Sequence, residues 1–369
     1  ADGAERVAQL CHGAVFGQML PLFWLDGLVS SVVEMGVNAR QTAVFLDEGD
    51  GALLADALHT RNIVRRVAPQ RKHVDHATRI VDAVMLAYLL AADDLDAVGP
   101  ALALFEAMGY TYISPADCDR QRGSRYHVLL RDILRGQLRR LNRYAYAGAE
   151  NEFSAANIER AMEDLDEPLT DGLVRTSEKI YDALLLGKSY PETVGEGKML
   201  SFNLRYIDWE TPQNNMFHVT EEFAVDSRDR QHNARPDIVL FINGIPFAVI
   251  ECKAPHIPVD EAVGQMIRNQ QAAYIPQLFK FAQLVVATNK NAVKYATVGT
   301  PKKFWSVWKE QDADWLQARL KALVPDRMPT EQDRNIVSLF SPERVYELIR
   351  SFILFDANVK KVCRYQQFF

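Results

Sequence analysis

Cysteine is scarce. The 369 residues hold four, Cys11, Cys118, Cys252 and Cys363, scattered and without a C-x-x-C pair. That spacing offers no zinc framework and no disulfide scaffold, and it fits a reducing compartment. Positive charge is not in excess either. Forty-two Lys and Arg stand against 48 Asp and Glu, a net charge of -6, which excludes a generally basic nucleic-acid coat but leaves local patches open. No uninterrupted apolar run reaches membrane length. The nearest, residues 14 to 35, is broken by Pro21, Asp26 and Glu34 and reads as a buried helical hairpin, so no membrane contact is expected. The first residues lack the pattern of a secretory signal, and there is no internal repeat or low-complexity segment. A phosphate loop is missing as well. "LLLGKSY" and "VGEGKML" carry Gly-Lys, but the positions that need the first glycine hold Asp182 and Glu192.

The length predicts two or three domains with ample core. Residues 1 to about 97 read as helical, as in "TRIVDAVMLAYLLAADDL", where Ile80, Val81, Val84, Met85 and Leu89 recur at helical spacing. Within this stretch His73, Asp75 and His76 have no partner spacing for a zinc site. In "RYHVLLRDILRGQLRRLNRY" the stripe Leu130, Ile133, Leu134, Leu138, Leu141 marks one helix face, and Arg131, Arg135 and Arg139 repeat on another. Eight arginines fall between 120 and 143, a candidate contact for DNA phosphates or a solvated helix face. Around residue 200 the chain turns to strands, "MLSFNLRYID" and "NMFHVTEEFAV". A hairpin at 235–255, a helix from about Val259 to Tyr274 and a buried strand "QLVVATN" follow. From about 311 the pattern is helical again. The order predicts an α/β (α+β) fold, a mixed sheet flanked by helices.

The stretch "RPDIVLFINGIPFAVIECKAP", residues 235–255, carries the chemistry. It is apolar enough for a buried strand pair, yet it holds Asp237, Glu251 and Lys253. Charges in such a place need partners or a metal. Asn243-Gly244 is a strong hairpin turn signal. Glu251 and Lys253, two apart, share a strand face. A plain two-residue loop would pair Asp237 with Ile250 and turn it away from Glu251. A three-residue loop, Ile242 to Gly244, with Gly244 left-handed, would bring Asp237 back onto their face. Two carboxylates there could hold Mg²⁺, which takes oxygen ligands and keeps several waters. Such an ion could polarise a phosphodiester and activate a bound water, with Lys253 orienting that water or offsetting charge. The plain alternative is a structural Glu251–Lys253 ion pair at a strand end.

These residues resemble the PD-(D/E)xK nuclease signature as found in the restriction (motor) subunit of type I restriction–modification enzymes. "EAVGQMIRNQQAAYIPQLFKFAQLVVATN", "VGTPKKFWSVWKE", "RYHVLLRDILRGQLRRLN", "GLVRTSEKIYDALLLG" and "FDANVKKVCRYQQFF" look like further blocks of that family, in order, over roughly residues 98 to 369. The resemblance implies that Asp237 and Glu251 bind Mg²⁺, with Mn²⁺ able to substitute, and that the Cys252 backbone carbonyl is an extra ligand. It makes Asp237, Glu251, Lys253 and Gln265 the catalytic set. Gln265 matches the glutamine of the family's Q-x-x-x-Y motif, but position 269 is Asn. A literal match, Gln270 to Tyr274, lies five residues later and is a candidate phosphate contact, as are Arg131, Arg135 and Arg139. Glu222, with Glu221 and Glu178, is a candidate further acid.

The implied organisation is a helical region at 1–97 of unassigned role, a nuclease domain at 98–310 and a helical connector at 311–369 toward a helicase motor. The implied activity is cleavage of double-stranded DNA in a bacterial or archaeal cytoplasm. ATP would serve only the motor beyond this chain, and the methyltransferase and specificity subunits would be the partners. The rival expectations are a non-catalytic docking module for those subunits and a standalone repair nuclease.

Overall fold

The coordinates are a computed structural model that describes residues 97–369. The helical expectation for 1–97, the 14–35 hairpin and the His73/Asp75/His76 group lie outside these residues, save for Ala97.

The described chain opens with α1 (Gly99–Ala107), β1 (Thr111–Tyr112) and α2 (Pro115–Arg122). Ser114 caps α2 by accepting from the Asp117 N–H at 3.2 Å, and Gly123 closes it at φ 68°. Next come α3 (Arg131–Leu141), the hairpin β2 (Arg143–Tyr146) and β3 (Ala149–Glu152), α4 (Ala155–Leu165) and α5 (Leu173–Leu186). A second hairpin, β4 (Lys188–Val194) with β5 (Lys198–Leu204), holds both Gly-Lys pairs, one at its entry and one at its tip. The strand predicted at "MLSFNLRYID" therefore belongs to this two-stranded ribbon and not to the main sheet.

The central sheet is built from β1, β6 (Phe217–Glu221), β9 (Ile238–Ile242), β10 (Ile245–Cys252), β11 (Leu284–Thr288) and β12 (Val293–Ala296), in that spatial order. Between β6 and β9 sits a small hairpin, β7 (Val225–Asp226) and β8 (Asn233–Ala234). β1 runs parallel to β6 and β10 parallel to β11, and the other neighbours are antiparallel. The sheet is thus mixed and flanked by helices. All of β9 and β10 is buried, which explains their unbroken apolar runs.

The β9–β10 turn is itself buried against α3. Asn243 (φ 54°) and Gly244 (φ 82°) both take left-handed backbone, as a type I′ turn requires. A Cβ on Gly244 would meet the Leu130 carbonyl oxygen at 2.7 Å, so only glycine fits. The Asn243 amide is fully used. Its oxygen accepts from Gln137 Nε2 at 2.7 Å and the Met216 N–H at 2.8 Å, and its nitrogen donates to the Tyr206 carbonyl and Asn215 Oδ1.

The strand β10 leads into α6 (Val259–Asn269), then α7 (Pro276–Phe279) and back to β11. The helix expected to reach Tyr274 stops at Asn269. Pro276 biases the residue before it away from helical backbone, and Ile275 N–H bonds back to the Asn269 carbonyl at 3.1 Å. The last part holds α8 (Ala313–Leu323), α9 (Glu331–Phe340), α10 (Pro342–Ser351), a hairpin β13 (Ile353–Asp356) and β14 (Val359–Val362), and α11 (Tyr365–Phe368). The hairpin departs from the all-helical expectation for 311–369. This part also shares the main core, through Leu316, Leu320, Ile336, Val337 and Phe340. Lys360 of β14, 1% exposed, donates to Ser177 Oγ, the Ala282 carbonyl and Gln283 Oε1 and so ties the hairpin to α5 and the start of β11. Among the described residues no helix is long and apolar enough to cross a membrane.

Candidate active site

A bulge decides whether the two carboxylates meet. The β9–β10 loop has two residues, since Ile242 pairs with Ile245 and Phe241 with Pro246. The next pair is Leu240 with Ala248, so Phe247 is the extra residue. From there Val239 faces Val249 and Ile238 faces Ile250, which sets Asp237 against Glu251. The three-residue loop expected from parity is not used. The same correction of register is made three residues further on, inside β10.

Asp237, at the entry to β9, aims its carboxylate across the pair. Its Oδ2 accepts the Cys252 N–H at 2.6 Å. Glu251 is 1% exposed. Its Oε1 accepts from Lys253 Nζ at 3.2 Å and from Gln265 Nε2. Gln265 Oε1 in turn accepts from Lys253 Nζ at 2.8 Å. The amide of Gln265, reaching in from α6, therefore spans the lysine and the glutamate and holds both in place. The Lys253 N–H is fixed by the Thr288 carbonyl of β11 at 2.8 Å.

One atom of this cluster is unmatched. Glu251 Oε2 is buried and has no hydrogen-bond partner. Burial, then the charge of Asp237 beside it, pushes the Glu251 carboxyl up to about 8. Burial also raises Asp237 above its ordinary value, against the pull of the Cys252 N–H and Lys253. Two carboxyl groups thus face each other, and among the described residues Lys253 is the only basic side chain hydrogen-bonded into the cluster. Among the described residues no three His, Cys, Asp or Glu side chains converge as a metal cage. The oxygens on offer are the two carboxylates and the adjoining backbone carbonyls. That donor set fits a hard cation that keeps several waters of its own.

The other sequence candidates fare differently. Gln270 is engaged in structure, donating to the Met266 carbonyl at 3.1 Å and accepting the Gly299 N–H at 2.7 Å, and it makes no hydrogen bond to the carboxylate cluster. Tyr274 lies beyond the end of α6 and stacks on His232 at 5.0 Å. On α3, Arg131 pairs with Glu159 at 3.5 Å, and Arg135 pairs with Glu159 and, at 2.8 Å, with Asp132. The carboxylate of α4 neutralises both, and of the three only Arg139 remains outside the ion pairs found among the described residues. Glu222 stands next to the site. Its N–H donates to the Asp237 carbonyl at 3.0 Å, but its exposed side chain faces Arg235 at 3.5 Å. Glu221 accepts from the Tyr112 hydroxyl at 2.8 Å. Glu178, on α5, makes no hydrogen bond to the cluster.

Arg122 is a residue that the arginine count concealed. It is 3% exposed, sits 4.1 Å from the Phe223 ring centroid, and bonds Asp119 and the Ala224 carbonyl. Phe223 N–H donates to the Pro236 carbonyl at 3.1 Å. Arg122 therefore braces the backbone that presents Asp237. Only its burial distinguishes it from its seven neighbours in sequence.

The family described as Type I restriction enzyme R protein N terminus matches residues 98–304. A protein of Methanocaldococcus jannaschii, provisionally named the MjaIXP endonuclease subunit of a type I restriction enzyme, is 27% identical over 206 residues, 52% of this chain and 19% of its own. The type I restriction enzyme HindI endonuclease subunit of Haemophilus influenzae is 23% identical over 231 residues, 58% of this chain and 21% of its own. The EcoprrI endonuclease subunit of Escherichia coli is 26% identical over 164 residues, 44% of this chain and 47% of its own. The chain spans about a fifth of the length of the first two of these relatives. The matched span 98–304 is more than half of the 369 residues, and the chain belongs to the family of type I restriction enzyme R protein N-termini.

Proposed function

We propose that this chain carries the nuclease site of a type I restriction enzyme R subunit, of PD-(D/E)xK type, and hydrolyses phosphodiesters of double-stranded DNA with Mg²⁺. The observation that carries the reading is the buried, unpartnered Glu251 Oε2 facing Asp237. Two buried carboxyl groups face each other there with Lys253 and Gln265 bonded to one oxygen of Glu251, an arrangement that supports a cation between them. Asp237, Glu251 and the Cys252 carbonyl would hold the cation, which supplies Lewis acidity and a more acidic bound water.

The side chains then divide the remaining work. Lys253 reaches out beside Glu251, 22% exposed, where it can orient the attacking water and offset charge gathering on the phosphate. Gln265 is a positioning residue, since it holds Lys253 and Glu251 at once. The Cys252 N–H fixes the rotamer of Asp237. The names of the relatives support the restriction-enzyme setting, in which ATP-driven translocation and sequence recognition would rest with other domains and with the methyltransferase and specificity subunits. Calorimetric titration of Mn²⁺ into the chain tests the site. Binding that disappears in Asp237→Asn is expected, and a wild-type chain that takes up no Mn²⁺ would remove the catalytic reading.

A further inference from the structure

Besides Arg139 and Arg140 on α3, exposed arginines outside the ion pairs found among the described residues lie on the loop between β7 and β8 and on α6. Ser227 N–H donates to the His232 carbonyl at 2.8 Å and Arg230 N–H to the Ser227 carbonyl at 3.0 Å, which closes the loop. Its acid, Asp229, accepts from Ser227 Oγ at 2.6 Å and the Gln231 N–H at 3.0 Å, so its charge serves the loop's own backbone. Arg228 and Arg230 are exposed and form no ion pair among the described residues. Neither does Arg268, exposed on α6 one turn beyond Gln265 and so on the same helix face.

These groups are held as one surface. The His232 ring stacks on Tyr274 with an interplanar angle of 27°, and the Arg268 guanidinium lies 5.5 Å from the centroid of the same tyrosine. Gln277 Nε2 pins the base of the hairpin through the Asp226 carbonyl at 2.7 Å. The surface adjoins the carboxylate cluster from two directions. Asp237 follows β8 by three residues, and Gln265 precedes Arg268 by three.

We infer that Arg228, Arg230 and Arg268 grip the phosphate backbone of duplex DNA beside the carboxylate cluster, with the His232–Tyr274 stack fixing the loop to the end of α6. Guanidinium groups match phosphate oxygens in two-point hydrogen bonds. Such contacts position a duplex without reading its sequence. The inference rests on the nuclease reading for the identity of the substrate.

Fluorescence anisotropy of the 369-residue chain with a labelled duplex of about 30 bp, without divalent metal and at salt from about 50 to 200 mM, tests it. The triple variant Arg228→Ala/Arg230→Ala/Arg268→Ala is expected to bind about tenfold or more weakly at low salt. Its plot of log affinity against log salt should be less steep by about 2 to 3, for three lost phosphate contacts. The corresponding triple lysine variant should keep most of the slope, because the charge remains. Arg131→Ala/Arg135→Ala should leave affinity and slope unchanged. An unaltered slope in the triple alanine variant, at an unchanged melting temperature, overturns the inference, and so does an equal loss in the α3 variant. The Mn²⁺ titration separates the two readings. Arginine-dependent DNA binding by a wild-type chain that takes up no Mn²⁺ supports this surface and overturns the catalytic site.

Discussion

Asp333 and Glu251 are both almost fully buried, at 2% and 1% exposure, yet their surroundings are opposite. Asp333 receives Arg327 through both oxygens at 2.5 and 2.7 Å, and the Thr330 N–H and hydroxyl at 2.7 and 2.8 Å. Burial acts to raise it, but the hydrogen bonds from Arg327 and Thr330 outweigh burial and hold the carboxyl below its ordinary value. It closes the capping box of α9, and its charge is wholly answered by protein. Glu251 has one oxygen bonded and one bare, a second carboxylate beside it, and a carboxyl raised to about 8. A buried acid that is fully matched serves structure. One that is left half matched, next to another acid, supports the proposed reading of a site for a cation that arrives from outside.

Lys253→Ala should break the comparison hardest. If Lys253 serves the reaction, cleavage by the complete enzyme falls by about 10²–10³ while melting temperature and subunit assembly hold. Cleavage that falls only in step with folded protein would return Glu251 and Lys253 to the role of a plain ion pair. Asp333→Ala should do the reverse. It removes a cap and strands Arg327, so denaturant unfolding should register a loss of about 2–4 kcal/mol, with Mn²⁺ uptake unaltered.

His218 sharpens the point from a third side. Its Nδ1 is also buried without a partner, but no carboxylate adjoins it, so an unmatched atom alone does not make a site. Burial holds its imidazole down at about 4, against an ordinary 6.5. Between those values the unfolded chain binds the extra proton and the folded chain does not, so stability falls as pH drops from 6.5 toward 4. The loss is at most about 3 kcal/mol, and His218→Leu should flatten that part of the pH–stability curve. The smallest effect is expected from Glu251→Gln. Without metal, burial keeps the folded carboxyl protonated up to about pH 8 while the unfolded chain ionises it, a cost that Gln does not carry, so the substitution should stabilise the chain at pH 7 by about 1 kcal/mol, while Mn²⁺ binding is lost. Destabilisation of the metal-free chain by this isosteric change would show that the glutamate is kept for its bond to Lys253.

The order of apolar runs, the Asn-Gly turn and the shared strand face of Glu251 and Lys253 were legible because each depends on short-range periodicity and turn chemistry, whereas Gln265 came from the resemblance of its block to the family. The position of the bulge was not legible. Any insertion of one residue satisfies the parity, and burial of the turn against α3 pins Asn243 and Gly244 where a longer loop would not fit. The pairing of the α3 arginines was hidden for a related cause. Asp132 offers Arg135 a partner along the helix, but Glu159, which pairs with both Arg131 and Arg135, comes from α4.

The sequence by itself therefore determined the strand pair, its turn residues and the identities of the site's charged groups, since local pattern dictates them. Tertiary structure alone decided which charges are answered. Glu159 silences two arginines of α3, Asp229 accepts from Ser227 Oγ and the Gln231 N–H while Arg228 and Arg230 pair with no carboxylate among the described residues, and Phe247 bulges so that Asp237 meets Glu251. The physical reason is common to all three. The energy of a charge depends on its neighbours within a few ångströms, and those neighbours come from elements distant in the chain.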